Sequence, residues 1–443
     1  MEKRLVVLGG GPAGYTAALR AVQLGAQVTL IEEKAVGGTC LHQGCIPLLV
    51  FLEAAHLLAR IRRAPALGLR TGEASLDLPA LQGSKKQLIA RLQSGVEALL
   101  ARQGVKVVRG KGALLDRWTI GVGGEEIRGD ALILAPGSVP HQPPTLAGAL
   151  DSAQALELRE IPKSVLVIGG GMVGVELAQF FLRAGARVGL VEAEPQLLPG
   201  EDPELAGLLG AALREEGMEV RLGTAVEKAD GHRVSFTGGE VKDAEVVIAA
   251  VGRQPRTQGL GLESIGLGEG SLAVDDRMET VVQGVYACGD STGAPMLAHR
   301  AMAGGRWAAT AALGLPVRAD FSLVPRCLFT EPEFAAVGMR EEEARERFGQ
   351  VRVGRFPFSA SARAQALGEA RGLAKVIAEP RYGQVLGVHL LGPGASEVIS
   401  QAVLALGLEA TAEAWAQTIL PHPTLSEALA EAVWDLEGRA IHI

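Results

Sequence analysis

At 443 residues the chain can hold two to four domains and bury large cores without disulfide staples. Its 43 Lys and Arg stand against 50 Asp and Glu, a net charge of −7 that argues against a phosphate-binding surface for nucleic acid. The longest apolar runs, Leu48–Leu52 and Val246–Val251, fall far short of the roughly 20 residues that span a bilayer, so no membrane partner is expected.

The chain opens Met1-Glu2-Lys3-Arg4 without the long apolar core of a signal peptide, and a cytoplasmic location is expected. Leu5-Val6-Val7-Leu8 reads as a short buried strand. It runs into Gly9-Gly10-Gly11-Pro12-Ala13-Gly14 and a helical stretch to Leu24. Strand, glycine turn and helix in that order form a dinucleotide cradle: Gly9, Gly11 and Gly14 let bare backbone approach a pyrophosphate at the helix N-terminus. A second strand, Gln27–Ile31, ends in Glu32, about 20 residues on, where a carboxylate can hold ribose hydroxyls.

Next comes Gly37-Gly38-Thr39-Cys40-Leu41-His42-Gln43-Gly44-Cys45-Ile46-Pro47, with two of the four cysteines of the chain. An ideal helix sets residues five apart about 7.5 Å along its axis, too far for a disulfide, whose α-carbons lie within about 7 Å. The pair closes only if the backbone is distorted between its members, and Gly44 is expected to supply that freedom. Three readings compete. A structural disulfide suits neither a reducing compartment nor a chain of this size. A metal site on Cys40, His42 and Cys45 has three ligands in a row and no second cluster. The third is a redox-active dithiol, whose meaning depends on its surroundings.

Residues Gly104 to Gly129 read as a small antiparallel insertion, and Ala131–Ala135 as a buried strand leading to Pro136-Gly137. The first unit then recurs. Val165–Ile168, Gly169-Gly170-Gly171-Met172-Val173-Gly174, a helix through Leu182 and Arg187–Val191 lead to Glu192. Gly25, Ala26, Val28, Leu30 and Glu32 meet Gly185, Ala186, Val188, Leu190 and Glu192 at one constant offset. One chain therefore carries two dinucleotide-binding domains, with Gly169, Gly171, Gly174 and Glu192 as the second set of site residues. Glu192 accepts from a free 2′-hydroxyl and repels a 2′-phosphate, and Ala193-Glu194-Pro195-Gln196 adds no cation, so NAD rather than NADP is expected there.

Further on, strand Glu245–Ala250 leads to Gly252-Arg253-Gln254-Pro255, and a strand ends in Cys288-Gly289-Asp290 before a helix from about Leu297. Cys288 and Cys327 read as core residues. From about Phe321 an α+β module follows: a helix at Glu341-Glu342-Glu343, strands Val351–Phe358, Leu373–Ala378 and Gln384–Leu391, and helices from Ala395 and Thr411. Thr424 and Glu427 match a capping box for a last helix, and His422 is taken by itself as a loop histidine.

Along nearly its whole length the chain resembles the FAD-dependent pyridine-nucleotide disulfide reductases, and within them the lipoamide-linked branch. The matching pieces are Gly9–Gly14, Gly37–Pro47, Ala135-Pro136-Gly137, Gly169–Gly174, Gly252–Pro255, Gly289-Asp290, His422–Glu427 and the tail Gly438-Arg439-Ala440-Ile441-His442. The resemblance implies an α/β protein with two Rossmann-like domains and a C-terminal α+β dimerisation domain. It assigns 1–149 to FAD, 150–250 to NAD, 251–320 to a central segment completing the flavin site, and 321–443 to a homodimer interface.

In such a protein Cys45 faces the flavin, Cys40 exchanges with substrate, and His422 and Glu427 of one subunit act as base and orienter for the dithiol of the other. Thr39, Gly137, Gly252, Gly289, Asp290 and Ala298 would line the cofactors, with Asp290 at the ribitol and the helix from Ala298 aimed at the flavin ring. The implied reaction is dihydrolipoamide plus NAD⁺ giving lipoamide plus NADH. Its partners would be the lipoyl domain of a 2-oxo acid dehydrogenase complex or the carrier protein of glycine cleavage. One departure stands out: the family lysine after the second cysteine is replaced by Leu49, so Glu176 is expected either to take up a proton or to find another donor. Pro136 for a usual threonine and Leu420 for a frequent histidine are smaller departures.

Overall fold

The computed structural model describes residues 3–443, which leaves Met1 and Glu2 outside the description. The chain divides into two compact units. The first joins the chain up to Val50 with Asp77–His141 and Gly252–Phe321. Its centre is a parallel five-stranded sheet in the order Val285–Ala287, Ala131–Leu134, Arg4–Leu8, Gln27–Glu32 and Lys106–Arg109. Leu5–Leu8 is apolar at every position because the sheet is covered on both faces. Alanines of the helices Pro12–Gln23 and Ala298–Ala312 pack on one face. Leu114, Ile120 and Val122 of an antiparallel insert pack on the other.

The insert is smaller than its sequence suggests. Only Gly112–Asp116, Thr119–Val122 and Glu125–Arg128 are antiparallel. Lys106–Arg109 runs parallel beside Gln27–Glu32 instead, because Val107 faces the alanine cluster while Val108 faces the opposite one. The helix Leu78–Arg102, capped by Asp77, is one that the sequence reading passed over.

The second unit gathers Phe51–Leu76, Gln142–Val251 and Ser322–Ile443. It holds a parallel four-stranded sheet in the order Glu219–Arg221, Arg187–Val191, Ser164–Ile168 and Val246–Ala249. It also holds an antiparallel five-stranded sheet: Arg326–Leu328, Glu333–Gly338, Val385–Gly392, Leu373–Ala378 and Arg352–Pro357. The helices Ala395–Gly407 and Glu427–Asp435 bury Val398, Ile399, Ala402, Leu429 and Val433 against that second sheet.

One helical stretch, 38–67, is long and apolar enough to cross a membrane by length and composition. Its Phe51, Leu52, Ala55 and Leu58 are buried in the protein, and Phe51 packs 4.8 Å from Phe180, centroid to centroid.

Candidate active site

The two glycine turns are built alike. A Cβ on Gly14 would meet Gly9 O at 1.7 Å, and one on Gly174 would meet Gly169 O at 1.9 Å, so only glycine lets each helix start so close to its strand. Gly11 and Gly171 cap the two helices with no side-chain hydrogen bond, leaving their first N–H groups to an anion. The acids close the same loops. Glu32 Oε2 accepts from Gly10 N–H at 2.6 Å and Oε1 from Lys34 N–H at 2.8 Å. Glu192 repeats this with Gly170 N–H at 2.6 Å and Glu194 N–H at 2.9 Å. Arg221, on the neighbouring strand, is engaged by Glu219 and Glu240 through its guanidinium. Both cradles fit a dinucleotide, and the second has the chemistry of a 2′-hydroxyl.

The cysteines sit where two helices meet. Gly38–His42 ends at Gln43-Gly44, and Cys45 opens Cys45–Arg63. This break supplies the distortion that the spacing demands. Gly44 serves it through space rather than through a left-handed φ, since a Cβ there would lie 3.2 Å from Thr39 O. The residues with positive φ are Gly37 at 107° and Gly38 at 58°, which turn the chain into the Thr39–Cys40 helix. His42 Nε2–H donates to Val36 O at 2.9 Å.

Both cysteines are free thiols, and the Cys40 thiol hydrogen-bonds the Cys45 sulfur. That bond is the main reason the Cys45 thiol titrates below its ordinary value and the Cys40 thiol above it. Burial and the Asp290 charge raise both, while Arg253 favours the Cys45 thiolate. The helix N-terminus at Cys45 works in the same direction as Arg253.

Three segments distant in sequence converge beside the dithiol. Gly289-Asp290 lies in a short 3-10 turn, and Asp290 Oδ2 accepts from Ser138 Oγ at 2.5 Å. Arg253 Nε donates to the same Oγ at 2.7 Å, and Arg253 Nη2 to Ser138 O at 3.0 Å. Gly137 and Gly252, at φ 78° and 109°, turn the chain into the paired strands Ser138–Pro140 and Arg253–Pro255. Ala298 is the first residue of its helix, which also starts without a side-chain cap. Sequence reading missed Ser138, and its place next to Gly137 was the available signal. In the second unit, Glu176 Oε1 accepts from Phe329 N–H at 2.9 Å, so this buried carboxylate has found another donor.

His422 Nδ1–H donates to Glu427 Oε1 at 2.8 Å, leaving Nε2 as the basic nitrogen on an exposed ring. Glu427 Oε2 accepts from Thr424 N–H at 2.7 Å. Burial raises the Glu427 pKa, but the bonds from Thr424 and His422 outweigh it and hold the group below its ordinary value. The expected capping box is not formed. The last helix begins at Glu427 itself, after Ser426, and Thr424 Oγ1 donates to Pro421 O at 2.8 Å. Glu427 is thereby a pairing group for His422 as well as a helix-terminal acid.

Residues 3–305 match the pyridine nucleotide-disulphide oxidoreductase family, and residues 324–433 match its dimerisation domain. A dihydrolipoyl dehydrogenase of Thermus scotoductus is 44% identical over 455 residues, covering 99% of this chain and 98% of that one. One of Bacillus subtilis is 38% identical over 455 residues, covering 99% of each. Among solved structures, LpdA from Mycobacterium tuberculosis superposes with a TM-score of 0.91 at 31% identity, covering 97% of this chain and 99% of the other.

Proposed function

From the premise that the chain belongs to the pyridine nucleotide-disulphide oxidoreductases, we propose that it oxidises dihydrolipoamide to lipoamide and reduces NAD⁺ to NADH. The carrying observation is the thiol pair bent together at Gln43-Gly44, with the lower-titrating sulfur at a helix N-terminus. Full-length similarity to dihydrolipoyl dehydrogenases supports the choice of substrate. The functional regions are 1–149 for FAD, 150–250 for NAD, 251–320 for completion of the flavin site and 321–443 for dimerisation.

In the oxidised enzyme Cys40 and Cys45 are joined. A dihydrolipoyl thiolate, its proton already lost to water, attacks Cys40, and Cys45 leaves as thiolate, which Arg253 and the helix N-terminus at Cys45 favour. The second lipoyl thiol gives its proton to His422 of the other subunit and attacks the lipoyl sulfur of the mixed disulfide. Lipoamide departs, and Cys40 is left reduced. Glu427 fixes the His422 ring so that Nε2 faces the incoming thiol. FAD, when bound by Gly9, Gly11, Gly14, Glu32, Thr39, Gly137, Gly289, Asp290 and the helix from Ala298, supplies the two-electron relay from the dithiol to NAD⁺. Gly169, Gly171, Gly174 and Glu192 hold the NAD⁺, with Gly252 at the edge of the central segment. The working unit is a cytoplasmic homodimer that takes its substrate from a lipoyl-bearing carrier.

The test is NADH formation from dihydrolipoamide and NAD⁺ by the FAD-loaded protein, with NADP⁺ in parallel. Turnover with NAD⁺ alone is the expected result. No turnover, with FAD bound and the disulfide intact, would overturn the lipoamide reading in favour of another disulfide substrate or a non-catalytic partner subunit.

A further inference from the structure

The first and second glycine turns share a detail that leads to different places. In the first, Gly37 N–H donates to Gly10 O at 2.8 Å, and the chain then enters the helix bearing Cys40. In the second, Leu198 N–H donates to Gly170 O at 2.8 Å, with Leu198 at a φ of 49°. Leu197 is buried, and its Cδ2 would lie 2.8 Å from a Cβ on Gly170. The strap 193–202 thus rests on the turn that cradles the nucleotide. Its far end is fastened by charge.

Glu201 pairs in bidentate fashion with Arg326, at 2.5 and 3.0 Å. Asp202, which caps the helix Pro203–Glu215, pairs with Lys375 at 2.8 Å, and both side chains are almost wholly buried. Lys375 also meets Glu204 at 3.0 Å and Glu341 at 2.8 Å. Arg326 and Lys375 both belong to the five-stranded sheet of the C-terminal module. A second set of bonds holds the far half of the helix that follows the turn. The helix Met172–Arg183 is tied by Gln179 to Glu331 N–H and O, at 2.9 and 2.7 Å, and by Arg183 to Glu331 at 2.7 Å. The module that matches the family's dimerisation domain therefore holds both the strap and the far half of the helix that leaves the glycine turn.

We infer that Arg326 and Lys375 are positioning residues for NAD⁺: their pairs with Glu201 and Asp202, the second of them buried, hold the strap 193–202 on the Gly170 turn. The inference rests on the NAD reading of that turn. A lone buried charge would endanger folding, so the variants remove both members of a pair. Asp202→Asn with Lys375→Met keeps a helix-capping side chain, and Glu201→Gln with Arg326→Gln leaves two neutral amides.

FAD-loaded dimers are titrated with NADH by fluorescence, and KM is measured for both substrates. NADH binding should weaken by roughly tenfold, and KM for NAD⁺ should rise in step. The KM for dihydrolipoamide should move far less. Unchanged NADH affinity in folded variants, whatever their melting temperature, would overturn the inference, as would an equal rise in both KM values. Leu197→Ala cuts the same contact without touching a charge, so it tests the strap even where the paired variants do not fold; it too must weaken NADH binding, and unchanged affinity overturns the inference. Wild-type protein that fails to bind NADH would remove the nucleotide reading itself, which the paired variants alone would not.

Discussion

Glu427 has two carboxylate oxygens and uses each once, on Thr424 N–H and on His422 Nδ1–H. The first bond ties the turn that leads into the last helix, and the second is the one that an orienter of the proposed base requires. Glu427→Gln keeps the size of the side chain but loses the charge that orients the imidazole. Its kcat/KM for dihydrolipoamide should fall by about 10- to 100-fold, while the rate of flavin reduction by NADH in stopped flow stays within about twofold. A variant that slows both half-reactions equally would point to a folding role. At this scale much of the candidate site was legible, because Gly9–Gly14, Cys40–Cys45 and His422–Glu427 are each contained in a few residues of sequence. The reading of Gly44 failed in detail. Composition reveals that a glycine is present, but not whether backbone angle or a neighbour such as Thr39 O requires it.

Between elements, the cluster around Lys375 joins the cap of Pro203–Glu215 to a strand of the C-terminal sheet and to the helix Glu341–Phe348. Burial raises the Glu341 carboxyl, but Lys375, Arg345 and Arg355 more than offset it, bringing it from 4.5 down to about 2. Glu204 is likewise held below its ordinary value against burial, by Arg355 and Lys375. The sign follows: depressed carboxylates stabilise the fold above their unfolded values and lose that contribution as pH falls through their folded ones. The Lys375 pKa, raised by Asp202 and Glu341 against burial, affects only the alkaline side. Thermal melts should therefore drop steeply between pH 4.5 and about 2, and less steeply in Asp202→Asn with Lys375→Met. Equal slopes would remove the cluster as the acid-sensitive element. None of this was legible beforehand. Lys375 and Asp202 lie 173 residues apart, and Ser138 and Asp290 lie 152 apart. Hydrophobic periodicity finds strands and helices, but it does not say which polar ends will meet.

For the whole molecule the question is which chain supplies the base. Leu404 and Leu408, at the end of the helix Ala395–Gly407, are 65% and 72% exposed, and Ile419, beyond it in the same module, is 96% exposed, apolar surface that a second subunit would cover. A two-fold dimer that exchanges His422 for a dithiol makes each site a joint product of two chains. Two dead enzymes should then rescue each other. Cys45→Ser lacks the dithiol but keeps His422, and His422→Ala keeps the dithiol but lacks the base. Refolded together in equal amounts they form heterodimers as about half of the population, each with one complete site, so activity should return to about a quarter of the wild-type value. If each chain served its own dithiol, no heterodimer would hold a complete site. The mixture would then stay as inactive as its parents, and the dimer would be a scaffold rather than part of the chemistry.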